Sequence, residues 1–113
     1  MAIAAIGMVV FVGLAVLAVA QIAIARTQAI AAADAAALAA APATFPPVAG
    51  GATPVALARV LAEANGATLV SCVCPLLTTF EARRVQVTVA IPVDLPMLGL
   101  RWVHASSAAE FTP

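Results

Sequence analysis

The sequence predicts an α+β fold: a long N-terminal helix, a short second helix and a small antiparallel sheet of about three strands. Three observations predict it. The chain opens on an uncharged apolar run, Ala2 to Ala25, interrupted in polarity only by Gln21, and from Leu14 to Ala41 it contains no Gly or Pro. A second helical pattern lies between Thr53 and Gly66. From Arg84 to Ile91, apolar β-branched residues alternate with shorter or polar ones.

Composition narrows the function. The 113 residues are 65% hydrophobic and 9% charged, with a mean hydropathy of +1.13. A soluble domain carries about 25% charged residues, so the excess points to a membrane. Net charge is zero and the basic residues are all Arg. No basic patch is present to neutralise several phosphates, which argues against a nucleic-acid partner, and no polybasic segment is present to hold anionic lipid.

The apolar run has the length of a membrane span. Ile3 to Ala25 covers about 34 Å at ~1.5 Å per residue, against a hydrocarbon core of ~30 Å. Gly7 and Gly13 lie within it, six apart, and small residues of this kind permit close helix approach. Beyond Arg26 the tract is mostly Ala, the strongest helix former, so the helix is expected to continue as a stem to Ala41. Ile30 and Leu38 are eight apart and share a side, with Asp34 between them. That stripe is either solvated or meets a cation on a neighbouring subunit. Gly7, Gly13, Ala31, Asp34, Ala35 and Leu38 are the helix-packing candidates. The small surface from Ala31 to Ala41 predicts that Ala36→Arg harms assembly more than folding. The alternative for the first half is a signal peptide cleaved after Ala18-Val19-Ala20, which would release a small secreted or surface binding domain. The absence of a basic region before the run and the uninterrupted helical pattern past that site argue against cleavage. Arg26 alone gives a weak vote on orientation.

Pro42, Pro46, Pro47, Gly50 and Gly51 mark residues 42–53 as a linker, and residues 54–113 form the carried domain. Thr53-Pro54 reads as N-cap and first position of a second helix, with Gly66 just past its end. Leu57, Val60, Leu61 and Ala64 form its expected apolar face, with Arg59 and Glu63 opposite. Ala67–Cys74 reads as a strand, ended by Pro75, and Leu76–Arg83 contains a turn. In the next strand Val85, Val87, Val89 and Ile91 face one way, and it is expected to pair antiparallel with Leu69–Val73. Pro92 and Pro96 are expected to bracket a loop at Asp94. Leu98–Ser106 is expected to form a third strand with Leu100 and Trp102 on one face, and residues 108–113 show no strong pattern. The second helix is expected to cover one sheet face, and so small a core is expected to lean on the long helix or on neighbours.

Candidate chemistry is sparse. Cys72 and Cys74 are two apart and share a strand face, where a bond between them closes a small ring. They are either half-buried apolar side chains or a disulfide of an exported protein, within the chain or to a neighbour. His104 is the single His, too few ligands for a metal. Ser71, Asp94 and His104 supply triad residue types, but a triad is recognised by geometry. There is no phosphate loop or HExxH pattern. No catalytic, metal or cofactor-binding residue is expected, and no cofactor or small-molecule substrate. Trp102 reads as a core or interface anchor.

Two stretches carry a family resemblance: Ala25-Arg26-Thr27-Gln28-Ala29-Ile30-Ala31-Ala32-Ala33-Asp34-Ala35-Ala36-Ala37-Leu38-Ala39-Ala40, and Ala64-Asn65-Gly66-Ala67-Thr68-Leu69-Val70-Ser71-Cys72, followed by the strand Val85–Val89. Together with the apolar start they resemble the actinobacterial TadE-like pseudopilins of the tight-adherence (Flp) pilus system. The resemblance spans most of the chain. It implies a non-catalytic, single-pass subunit in the cell membrane with a pilin-like domain outside the cytoplasm or on a surface pilus. Its implied partners are the membrane, other pilin-like subunits and the pilus or secretion assembly machinery. The resemblance implies that related chains often carry a cysteine upstream of the Ala64–Ala67 run, able to bond the strand cysteine; none precedes Cys72 here, which leaves Cys74 as a substitute partner or an unrelated residue. Pilin precursors also carry a Glu soon after a Gly cleavage site. Gly7 and Gly13 are present here, but no acidic residue precedes Asp34, so the usual pairing of that Glu with a neighbour's amine is not expected.

Overall fold

In a computed structural model the chain forms a rod of 73 × 19 × 15 Å. The structure describes the backbone of residues 1–113 and every side chain except those of Val48 and Ala49. The elements are α1 (Ala2–Ala43), the single turn α2 (Pro46–Ala49), α3 (Pro54–Ala64), β1 (Thr68–Val73), β2 (Arg83–Leu95) and β3 (Gly99–Phe111). The three strands form one antiparallel sheet in the order β1-β2-β3. The fold is α+β, as the sequence implies.

The 42 residues of α1 form one continuous helix of about 63 Å. Pro42, which has no N–H to donate, sits in its last turn, and the chain leaves at Thr44. The Thr44 hydroxyl and backbone N–H both donate to the Ala41 carbonyl, at 2.6 and 3.2 Å, and satisfy a terminal acceptor. α3 is delimited at both ends. The Ala56 N–H donates to Thr53 Oγ1 at 3.2 Å, and Pro54 occupies the first turn. At the other end Gly66 N–H donates to Glu63 and Ala67 N–H to Ala62, the paired bonds of a Schellman cap. Gly66 is required there twice over. Its φ is +77°, and a Cβ would stand 2.7 Å from Gln28 Nε2, which reaches across from α1 to donate to the Asn65 carbonyl.

The core is a ladder of small residues against a ladder of β-branched ones. Ala25, Ala29, Ala32, Ala33, Ala36, Ala37, Ala40 and Ala41 form one face of α1 and are buried. They recur at intervals of three and four, the spacing of one helix face. Opposite lie Val85, Val87, Val89, Ile91, Val93 and Leu95, the inward face of β2. Alanine brings the helix axis close to the sheet, so that both surfaces exclude water with few gaps. Complete burial of each valine contributes about 1.5–3 kcal/mol.

Several expectations are corrected. The sheet is covered by α1, and α3 packs chiefly on α1 and the edge strand β1. The buried residues of α3 are Pro54, Ala58 and Ala62, with Leu57 and Leu61 half-buried; Val60 and Ala64 are exposed. Small side chains let α3 lie close to α1, which moves the contact face round by about one residue. Asp94 is not in a loop. β2 runs on to Leu95 with Val93 and Leu95 inward, and the turn is Pro96–Leu98. Pro92 is tolerated because β1 has already ended opposite Ala90, leaving that side of β2 without a strand partner. β3 continues to Phe111, where Ala108, Ala109, Glu110 and Phe111 pair with Gln86, Val85, Arg84 and Arg83. Residues 42–53 contain the turn α2. The reading of Ala36 is reversed: it is wholly buried in the core that α1 forms with the sheet and α3, so Ala36→Arg strikes folding first.

Ala36→Leu is accordingly expected to destabilise the fold by about 1–3 kcal/mol through overpacking, whereas Leu38→Ala on the exposed face changes it by less than about 0.5 kcal/mol. Thermal unfolding followed by circular dichroism in detergent checks the pair. Equal melting temperatures for the two variants would contradict the placement of the alanine face.

Candidate membrane anchor and packing surface

From Ala2 to Ile24, α1 stands clear of the rest of the fold over most of its surface. Its mean hydropathy reaches 2.8 over 18 residues, none of them buried. Ile3, Ile6, Met8, Val9, Phe11, Val16, Val19, Ile22 and Ile24 project on all sides. A helix apolar all round has the surface of a membrane span, and this one is long enough to cross a bilayer. That is compatible with a single N-terminal membrane anchor.

The packing candidates fall into two groups. Gly7 and Gly13 lie on the bare segment, with nothing within 4 Å of an added Cβ. Ala31, Asp34 and Leu38 are exposed and Ala35 is half-buried, on the flank of α1 turned away from the alanine face. Ile30 is exposed too, so the stripe through residues 30, 34 and 38 is open. Asp34 accepts a hydrogen bond from the Ser107 hydroxyl at 2.5 Å, which ties this flank to β3 within the same chain. The alanines at 32, 33, 36, 37 and 40 are covered by the sheet and α3 together, leaving Ala31, Ala35 and Leu38 as the outward surface.

Cys72 lies on β1 opposite Val87, half-buried, and Cys74 follows just beyond the strand. Their sulfurs are joined, with Cα atoms 5.4 Å apart. Ser71, His104 and Asp94 are not brought together. Ser71 is opposite Thr88, His104 opposite Ala90 and Asp94 opposite Leu100. Four residues of strand, about 13 Å, separate the levels of His104 and Asp94. Trp102 is about half exposed on the outer face of the hairpin, a surface position and not a core one.

Sequence reasoning missed the residue that closes the fold at the far end. Arg83 is 5% exposed and has no carboxylate among its hydrogen-bond partners. All five guanidinium N–H groups are used on backbone carbonyls. Nη1 donates to Thr44 at 3.2 Å and Leu77 at 2.8 Å; Nη2 donates to Glu81 at 2.8 Å and to Thr79; Nε donates to Glu81 at 3.1 Å. The guanidinium carbon stands 5.6 Å from the Phe45 ring centre and 6.0 Å from that of Phe111, within cation–π range. A buried charge is tolerable when it is fully hydrogen-bonded, and the negative end of the α1 dipole at Thr44 favours a cation there. The signal was the strand phase. Residue 83 shares parity with Val85, Val87 and Val89, so extending the alternation by one step turns it inward.

No protein-family model, characterised protein or solved structure matches the chain.

Arg83→Met, which keeps an unbranched apolar stem and removes the guanidinium, leaves four carbonyls short of donors. It is expected to cost about 2–4 kcal/mol and to open residues 76–82 to proteolysis while α1 stays helical. Limited digestion with mass mapping checks this. Undiminished resistance of that loop would show that the guanidinium does not hold it.

Proposed function

We propose that the protein is a membrane-anchored, non-catalytic assembly subunit, a pseudopilin-like component of a tight-adherence pilus or a related secretion apparatus. The observation that carries this reading is the continuity of α1. One helix supplies both the bare apolar span and, through its alanine face, half the core of the carried domain. A separate anchor would be joined by a flexible linker. A helix shared in this way holds the domain at a set height and rotation above the lipid, as a packed array of subunits requires. The likeness of the residue 25–40 and 64–72 segments to TadE-like chains supports the same reading.

The domain lies outside the cytoplasm in this reading. The Cys72–Cys74 bond supports that side, since disulfides persist in oxidising compartments. Assembly contacts fall on Gly7 and Gly13 within lipid and on Ala31, Ala35 and Leu38 above it. There a neighbouring helix can exchange lipid for close-packed small side chains.

Two measurements test this in the producing cell. The chain should remain with membranes after alkaline carbonate washing. Leu38→Cys and Ala31→Cys should each give crosslinked adducts with a second copy or another membrane subunit, while Arg84→Cys, on the outer face of the sheet, should give none. Release by carbonate, or equal crosslinking at all three positions, would overturn the proposal.

A further inference from the structure

The β2–β3 hairpin runs alongside α1 and reaches well down the bare segment. Gln21, Ile24, Ala25 and Gln28 border the same groove as Ile91, Pro92, Val93 and Asp94. Further down, Pro96, Met97 and Leu98 line a groove with Phe11, Leu14, Ala15 and Ala18. The turn therefore sits three to ten residues below Gln21, about 5–15 Å along the helix axis. The outer face of the hairpin changes character along this direction. At the far end it carries Arg84, Gln86, Thr88, Ser106 and Glu110. Toward the turn it carries Trp102 and Leu100, with the exposed Asp94 opposite Leu100, and the turn itself exposes Met97 and Leu98. Trp102, Leu100, Met97 and Leu98 are 51%, 57%, 87% and 57% exposed. No charge occurs between Asp94 and Arg101.

We propose that the hairpin tip is a second membrane contact, with Met97 and Leu98 among the upper acyl chains beside α1 and Trp102 at the headgroup level. This rests on the reading of α1 as a membrane span. The occupant is lipid because the apolar tip is continuous with the apolar surface of the helix at the depth where that surface meets the bilayer. Gln21 is the first polar side chain along α1 and Arg26 the first charged one, so the hydrocarbon ends near Gln21, level with Asp94 and above the turn. Trp102 is placed as interfacial tryptophans are, and Arg101 is long enough to carry its charge upward from that level. The turn is also suited to a dry setting. Pro96 has no N–H, and the Leu98 N–H donates to the Leu95 carbonyl at 3.3 Å, which limits the donors left without water. The contact is shallow, and the paired strands above it remain in water.

Trp102 is the single tryptophan of the chain and serves as its own probe. The full chain is reconstituted at low protein-to-lipid ratio in phosphatidylcholine–phosphatidylglycerol vesicles, with and without bromine at shallow acyl positions. Flotation reports the anchor, and Trp102 quenching reports the tip. The expected result is flotation, a blue-shifted emission reduced about twofold by brominated lipid, and weak quenching by acrylamide. The double variant Met97→Asp/Leu98→Asp, altered only at exposed positions, should still float but regain acrylamide quenching severalfold. Flotation with Trp102 open to acrylamide and untouched by bromine overturns the inference and leaves the anchor standing. Shielding from both quenchers means that protein covers the tip, and it also overturns the inference. So does a double variant that behaves as the parent. Failure to float removes the anchor, and this contact with it.

Discussion

The close approach of the alanine face of α1 to the valine ladder of β2 is the constraint on which the structure depends. The inward face of the three-stranded sheet must be buried, and α1 supplies the cover. Alanine makes that cover possible without large side chains, because what it lacks in buried area it returns in proximity. The cover is continuous with the bare apolar segment of α1, so the domain cannot form its core without that helix. The polypeptide thus has one packing problem where a tethered domain would have two.

The two ends of this interface are finished differently. At the top, Arg83 gathers the end of α1, the 77–81 loop, the start of β2 and, through Phe111, the end of β3 around one cation. Its carbonyl partners come from segments with no regular pairing of their own, so the charge orders backbone that the sheet does not reach. At the bottom the closure is apolar, with Pro96–Leu98 laid against Phe11–Ala18. A charged clasp at the end remote from the apolar segment and a greasy one beside it match a molecule whose surroundings change along its length.

Much of this was legible in the residues. Uninterrupted helix formers from Leu14 to Ala41 declared α1, Thr53-Pro54 and Asn65-Gly66 bracketed α3, and the Val85–Ile91 alternation gave β2 and its inward face. The parts that were not legible share a cause: they depend on which partner a small residue meets. Alanine is helix-forming on every side of α1, and nothing local marks the face at residues 29, 33, 36 and 40 as the one the sheet and α3 cover, or Ala31 and Leu38 as open. The same ambiguity hid Ala58 and Ala62 behind the larger Leu57 and Val60. Pro92 masked the continuation of β2, because a proline stops a strand only where a neighbour needs its N–H. Asp34 shares an exposed stripe with Ile30 and Leu38, but its hydroxyl partner lies 73 residues away and is fixed only by the fold.

The shared helix also determines how the molecule carries load. Helix and hairpin lie side by side along one long axis, so a pull on the apolar end of α1 along that axis slides the alanine face past the valine ladder. Every rung then resists at once, in shear, whereas a domain hung from a linker would be peeled open one contact at a time. The rod is therefore built to transmit tension from the apolar end of α1 to the domain without first unfolding at its junction.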